Sequence, residues 1–372
     1  MGFGADKHGA KGWQEFAKKR REVASEEFEM QKFGNGLELQ AVSKSELPHM
    51  DAPSQFIYSI TTGRSGTAFL TRLLHLNIAG AEVHHEFSGF PHFGRRTPDA
   101  SQLTTFNHIG NVPEVRSFWR KKFTEDQKSR ARVYAEMAHI HAKAGLIENL
   151  DLLPSSVRID LVRLTRNTFE TYWSHLNRFD FIQAHFTWLF TLDAHYPNVI
   201  VNPAPYLEHR MFGQALWYVH EMEARGAYYE RLVVTDQRIR MHSVRFEDVV
   251  NPFGAATLLR SLGHGCDPAE VELPKRLSPT KQSSLGDAER RLAEDLFAEL
   301  TCDTDAAGRN YHNEGLRLGA PVHLFFQEAG HLQHEPLHSV AAKPKKQKAP
   351  ARATGLSARG LPGGAGDVGL SG

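Results

Sequence analysis

Residues 55–70, QFIYSITTGRSGTAFL, contain an apolar run, a glycine-rich turn and the start of an amphipathic pattern in direct succession. The run at residues 55–60 has the length and composition of a buried strand. The residues after the turn place apolar side chains on one face of a predicted helix, namely Phe69, Leu70, Leu73 and Leu74. In this order of elements, the N–H groups of the turn converge where the helix dipole is positive. The stretch therefore predicts an anion-binding cradle, with a plain strand-to-helix turn as the alternative.

The turn contains the residue types that a phosphate group requires. Gly63 and Gly66 allow backbone conformations that bring N–H groups close to an anion. Arg64 adds a planar cation, and the Ser65 and Thr67 hydroxyls add donors. The turn lacks the Gly-Lys-Ser/Thr ending of a Walker A loop, and with it the hydroxyl that normally holds Mg²⁺. We therefore expect it to bind phosphate without a metal ion.

A second basic and hydroxylic segment follows another predicted strand, at residues 157–164. This strand leads into Thr165-Arg166-Asn167, and Ser174 follows Arg166 on a helix predicted at residues 169–176. Ser174 lies about two helical turns beyond Arg166, so the two side chains can converge on one anion. We expect this second anion site far along the same sheet, as a nucleotide with two separate phosphates would require. For Arg166 alone, a surface charge is the alternative.

Strand-like and helix-like patterns alternate through the central part of the chain. Further strands are predicted at residues 81–84, 199–201 and 239–244, and further helices at residues 208–225 and 253–262. This alternation is typical of an α/β fold with three αβα layers, a central mostly parallel sheet and, here, a P-loop-like turn. We expect one domain at residues 36–335, a charged helical or flexible leader at residues 1–35, and a basic, Gly- and Pro-rich disordered tail at residues 336–372.

The overall composition excludes several classes of function. The formal net charge of +1 gives no reason to expect nucleic acid or an anionic membrane as a partner. No apolar run is long enough to span a membrane, and the only cysteines, Cys266 and Cys302, are too few for a disulfide framework. A cytoplasmic location is expected. The 21 histidines show no metal-ligand spacing, so no metal site is predicted.

Three segments resemble motifs of the sulfotransferases that use 3′-phosphoadenosine 5′-phosphosulfate (PAPS). ITTGRSGTAFL, residues 60–70, resembles their 5′-phosphosulfate loop, with Ala68 in place of a second Thr. VRLTRNTFETYWSHL, residues 162–176, resembles their 3′-phosphate motif, with Thr168 where Pro is usual; Thr still permits a helix start because it can cap. MHSVRFEDVVNP, residues 241–252, resembles a late strand-to-helix unit with a structural role. Lys281 lies where related enzymes carry a loop over the 3′-phosphate.

The resemblance implies transfer of a sulfuryl group from PAPS to a hydroxyl or amine of a small molecule, carbohydrate or other hydroxyl compound. The product would be 3′-phosphoadenosine 5′-phosphate (PAP), and no metal is expected. Arg64 is implied to be catalytic as well as donor-binding. The full set of implied donor-binding residues is Gly63, Arg64, Ser65, Gly66, Thr67, Arg166 and Ser174.

Two residues are candidates for the general base. Glu86 ends the short strand after the loop helix, and ligands bind at the carboxyl ends of parallel strands. Its position is similar to that of the glutamate in carbohydrate and protein-tyrosine sulfotransferases. His108 is the alternative, because the small-molecule branch uses a histidine from a later segment. Glu86 as a plain helix or strand cap also remains open.

The sequence leaves more than one interpretation open for the acceptor site and for the class of reaction. An aromatic and basic stretch after Glu86 suits a sugar, a phenol or an acidic acceptor, but equally an ordinary loop; it comprises Phe87, Phe90, His92, Phe93, Arg95 and Arg96. A P-loop kinase or nucleotide hydrolase is the second interpretation. A nucleotide-binding protein without catalysis is the third.

Overall fold

A sheet of five parallel strands forms the centre of the computed structural model, which describes residues 52–86, 97–182, 189–275 and 285–318. The strands are β1 (Gln55–Ile60), β2 (Glu82–His85), β3 (Val133–Met137), β4 (Arg158–Thr165) and β5 (Ile239–Arg245). Their order across the sheet is β2-β3-β1-β4-β5. β1 is therefore the central strand, and all six of its residues are buried. The turn that follows β1 lies in the middle of the carboxyl edge of the sheet.

Helices cover both faces of this sheet. Along β1, Phe56 and Tyr58 contribute to one hydrophobic cluster and Ile57 to the other, because alternate side chains of a strand point to opposite faces. The helices are α1 (Thr67–Asn77), α2 (Ala100–Ile109), α3 (Pro113–Asp126), α4 (Thr168–Asn177), α5 (Ala204–Leu207), α6 (Arg210–Leu232), α7 (Phe246–Val249), α8 (Pro252–Ser261), α9 (Asp287–Glu299) and α10 (Thr304–Leu318). Apolar residues of α1 and α8 pack in one cluster, and those of α2, α3, α4 and α6 in the other. The predicted three-layer α/β fold is confirmed, and the sheet is wholly parallel.

Two strand assignments from the sequence are wrong. β3 was not predicted, although it separates β2 from β1. The expected strand at residues 199–201 does not form, because the backbone N–H groups of Ile200 and Val201 donate to Glu221 Oε2 on α6, at 2.9 and 2.8 Å, instead of joining a ladder. The predicted helix at residues 208–225 continues to Leu232.

Several predictions fall outside the described residues. The leader at residues 1–35, the tail at residues 336–372, the aromatic and basic stretch at residues 87–96, and Lys281 all belong to this part of the chain. These remain predictions.

Candidate functional site

The turn between β1 and α1 has the backbone conformation that the glycines suggested. Gly63, Arg64 and Gly66 have left-handed φ angles of 80°, 59° and 103°. α1 begins directly after Gly66, whose carbonyl accepts from Leu70 N at 3.0 Å. Ser65 is buried, and its hydroxyl is hydrogen bonded to that of Thr61. The turn is therefore wound tightly onto the N-terminus of the helix, as an anion cradle requires.

An aromatic ring closes one side of this turn. A Cβ atom at Gly66 would overlap the ring of Phe246, so only glycine fits there. Phe246 meets Phe69 edge to face, with centroids 5.6 Å apart. The Arg166 guanidinium lies over the same ring, with Cζ 5.6 Å from its centroid. The loop, the late strand-to-helix segment and the second anion segment thus meet at one place.

The two predicted anion segments are in direct contact. Arg64 Nε donates to Ser174 Oγ at 3.1 Å, and an Arg166 N–H donates to the carbonyl of Arg64 at 3.4 Å. The second segment does not lie far along the sheet as expected, because β4 is the immediate neighbour of β1. The N-cap of α4 is Asn167, whose side chain accepts from Glu170 N at 3.0 Å, so the expected capping role of Thr168 is not needed.

Positive charge accumulates around Arg64. Burial and the neighbouring Arg178 lower the pKa of Arg64, Arg166 adds to this effect, and Asp180 and Glu86 oppose it. Asp180 is buried, and it lies 3.0 Å from His175 Nδ1 and 3.6 Å from Arg178 Nε. Two carboxylates, those of Asp180 and Glu86, therefore face the three guanidinium groups of Arg64, Arg166 and Arg178, and the excess of positive charge favours a bound anion.

Glu86 lies beside the loop, together with a histidine that the sequence analysis did not select. Glu86 Oε1 is 3.5 Å from His139 Nε2. His139 packs against the loop so closely that a Cβ on Gly63 would lie 3.3 Å from its Cβ and Cγ. The backbone of Glu86 has φ 45°, and its N–H donates to Met137 O at 3.2 Å. This places a carboxylate and an imidazole next to the predicted anion cradle.

A buried lysine underlies His139. Lys143 Nζ is 2.8 Å from His139 Nδ1, 2.8 Å from Tyr218 Oη and 2.5 Å from the Phe190 carbonyl. Tyr218 Oη in turn donates to the carbonyl of Thr62, in the loop, at 2.6 Å. Burial lowers the pKa of Lys143 to about 7. Burial and then Lys143 lower the pKa of His139.

The other base candidate, His108, has different neighbours. It lies on the exposed side of α2, where its ring meets that of Tyr196 at 4.9 Å. Among the hydrogen bonds, ion pairs and ring contacts of the described residues, none joins His108 to the loop or to Glu86. The structure thus groups Glu86, but not His108, with the predicted donor-binding residues. Thr67, also predicted, hydrogen bonds through its hydroxyl to His85 Nε2 at 3.0 Å.

His139 and Lys143 could not be predicted as site residues because the strand before them, β3, was not predicted. His139 and Lys143 follow β3, and only the recognition of β3 next to β1 would have placed them at the loop. The segment VYAEMAHIHAK, residues 133–143, does contain a strand-like start followed by histidines. The buried Glu136 within the strand masks this signal.

Two further observations concern the described residues only. Within the four described ranges, no three His, Cys, Asp or Glu side chains lie close enough to hold one metal ion together. Among the described helices, none combines the length and apolar character needed to cross a membrane.

Comparison with known proteins gives a remote likeness. No protein-family model matches the chain, and no curated protein matches it. The structure of a sulfotransferase from Alicyclobacillus acidocaldarius is similar, with 12% identity, 70% of this chain and 96% of that chain covered, and a TM-score of 0.35. A sulfotransferase domain from the curacin biosynthetic pathway also has 12% identity and a TM-score of 0.35, covering 74% of this chain and 99% of that one. At these values the likeness says nothing about the donor or acceptor of this chain.

Proposed function

We propose that this chain is a PAPS-dependent sulfotransferase that transfers the sulfuryl group to a hydroxyl or amine, with Glu86 as general base. The contact between Arg64 and Ser174 carries the proposal, because it joins the two predicted anion segments into one site. PAPS carries its 3′-phosphate and its 5′-phosphosulfate on the same ribose. A donor of this kind requires two adjoining cation-lined pockets, and a mononucleotide with phosphates only at the 5′ end requires one.

The side chains have distinct roles in this reaction. The acceptor oxygen or nitrogen attacks sulfur in line, the bond between sulfur and the bridging oxygen breaks, and PAP leaves. Glu86 takes the proton from the acceptor. Arg64, beside the helix N-terminus, stabilises the negative charge that develops on the leaving phosphate. A sulfuryl group carries less charge than a phosphoryl group, so arginine and backbone N–H groups can replace a metal ion.

The aromatic pair next to the loop supports a purine nucleotide. Phe246 contacts Phe69, lies beside Gly66 of the first anion segment and lies under Arg166 of the second. Aromatic faces offer stacking surfaces for a base. We assign these rings to the adenine of the donor.

Calorimetry with PAP, ATP and ADP, each with and without Mg²⁺, tests the donor. We expect PAP to bind more tightly than ATP or ADP and without the metal. Magnesium-dependent preference for ATP would instead identify a kinase or hydrolase.

Turnover tests the base, measured as PAP release from PAPS with phenol, sugar and amine acceptors. Glu86→Gln is expected to fold and to bind PAP normally but to lose turnover by about 100-fold or more, as loss of a general base implies. His108→Asn is the matched control and is expected to retain turnover. The reverse result would assign the base to His108. PAP binding without turnover on any acceptor would support the non-catalytic alternative.

A further inference from the structure

The hydrogen bonds around Lys143 constrain where its protons can go. The Phe190 carbonyl can only accept, so Lys143 must donate to it across 2.5 Å. The Thr62 carbonyl can also only accept, so the single proton of Tyr218 lies between Tyr218 Oη and that carbonyl, 2.6 Å apart. Tyr218 Oη must therefore accept from Lys143 at 2.8 Å. Two protons of Lys143 are committed in this way, whatever its charge.

The third position on Nζ faces His139 Nδ1 at 2.8 Å. If Lys143 is an ammonium, it donates its third proton, and neutral His139 must carry its own proton on Nε2. If Lys143 is a neutral amine, its lone pair faces Nδ1, and His139 must carry its proton there. The charge of Lys143 thus fixes the tautomer of His139.

The tautomer matters because Nε2 of His139 faces Glu86. In the ammonium state, Nε2 carries a hydrogen whose partial positive charge attracts Glu86 Oε1, 3.5 Å away. In the amine state, Nε2 carries only a lone pair, whose negative charge repels the carboxylate. Only the first state holds Glu86 in place beside the loop.

We propose that Lys143 is a positioning residue that, through the tautomer of His139, orients Glu86 for proton abstraction and releases it when Lys143 becomes neutral. The consequence for catalysis rests on the proposed function, whereas the coupling between Lys143 and His139 does not. The proposal concerns proton placement alone, because the hydrogen-bond partners of Lys143 Nζ are His139, Tyr218 and the Phe190 carbonyl.

Burial and the charges around Lys143 set its pKa near neutral pH, so that both its charged and its neutral form can be populated. Burial lowers its pKa to about 7, Glu86 and Asp180 favour the ammonium, and Arg225 opposes it. Around His139, the groups other than Lys143 that disfavour a second proton are His175, His85 and His141. His139 therefore stays neutral, and its response to pH is a change of tautomer.

Nitrogen NMR of the full chain, labelled with ¹⁵N at histidine, tests the coupling directly without donor or acceptor. The resonances of His139, identified by their loss in His139→Asn, report which ring nitrogen carries the proton. We expect the Nε2–H form at pH 6 and conversion to the Nδ1–H form as pH rises through about 7, the pKa of Lys143. A single tautomer from pH 5.5 to 9 in the wild type overturns the proposal.

Two variants distinguish positioning from a structural role. Lys143→Met is expected to abolish the pH-dependent conversion, with Lys128→Met, at an exposed lysine, as the control. Tyr218→Phe frees one proton of neutral Lys143 to donate to Nδ1, so His139 should keep the Nε2–H form even at pH 9. Conversion in Tyr218→Phe like that of the wild type overturns the proposal even if Lys143→Met fails to fold.

The pH profile of turnover supplies the catalytic test. Wild-type kcat is expected to fall about tenfold per pH unit above the titration of Lys143, with KM for PAPS unchanged. Tyr218→Phe should lose this decline. If the NMR conversion occurs but kcat shows no such decline, the catalytic role is refuted, whereas absence of PAP binding would refute the proposed function instead.

Discussion

Replacement of Gly66 by alanine tests whether the loop has the shape needed to hold the donor. Gly66 has φ 103°, and an added Cβ would overlap the Phe246 ring. The unfavourable backbone conformation costs about 1–2 kcal/mol. Displacement of the ring loses the contact with Phe69, about 0.5–1.5 kcal/mol, and the contact with Arg166, about 0.5–1 kcal/mol. The total penalty is about 2–4.5 kcal/mol.

This penalty must appear in one of two measurements. If the loop of Gly66→Ala keeps its shape, the free energy of unfolding falls by about 2–4.5 kcal/mol. If the loop relaxes, the protein keeps its stability, and PAP binds about 30- to 1,600-fold more weakly. Urea unfolding and calorimetry on the same preparation give both quantities, and their losses should add up to the predicted penalty.

The matched control is Gly80→Ala. Gly80 is also left-handed, with φ 67°, but it is exposed after the end of α1. We expect a loss of stability of about 1 kcal/mol there and no change in PAP affinity. If Gly66→Ala shows both unfolding free energy and PAP affinity within about 0.5 kcal/mol of the wild type, the described contact between loop and ring is refuted.

Two other changes test the second anion segment and the buried charges. Arg166→Ala should weaken PAP binding by about 10- to 150-fold, because it removes a hydrogen bond between charged groups. Adenosine 5′-phosphosulfate, which has no 3′-phosphate, should bind as before. Replacement of the exposed Arg240 by alanine is the control, and equal losses of affinity for both ligands would contradict the assignment of Arg166 to the 3′-phosphate. Lys122→Met should lower the free energy of unfolding at pH 7 by about 3–5 kcal/mol, because it leaves the buried Asp126 and Glu136 carboxylates, 3.1 and 2.6 Å from Nζ, without their cation. That deficit should narrow in urea unfolding at pH 4.5, where the variant can protonate a carboxylate, and an equal deficit at both pH values would contradict the reasoning.

In the wild-type protein, by contrast, acidification removes stability that ionised Glu136 contributes. Burial alone would raise the pKa of Glu136, but Lys122 and His141 together hold it well below its ordinary value. A lowered carboxyl pKa contributes stability above the ordinary carboxyl range and loses it as pH falls through and below that range. Glu136 should therefore contribute less stability to the wild type on acidification, and Lys122→Met, which lacks the cation that lowers this pKa, should lose less over the same interval.

The local sequence was sufficient to predict the bounds of strands and helices where a strand, a turn and a helix follow one another directly. β1 matches its prediction, and β4 and α4 lie within one residue of theirs. The long helix was predicted to end near residue 225, but it continues through Gly226. This glycine allows close approach of Arg163, whose Nε would lie 2.6 Å from an added Cβ. Gly226 is therefore explained by a contact with a distant segment, which the local sequence cannot show.

The missed strand β3 and the missed site residues have one physical cause. β3 carries Glu136 in its interior, and that charge is tolerated because Lys122 lies 2.6 Å away and His141 3.0 Å away, contributed by segments on either side of the strand. A pattern of apolar residues cannot reveal a charge that is neutralised by partners from elsewhere in the fold. The same strand then delivers His139 and Lys143 to the loop, because it lies directly beside β1. Polar side chains thus make β3 difficult to recognise in sequence, and its place beside the central strand is what brings a histidine and a buried lysine to the predicted anion cradle.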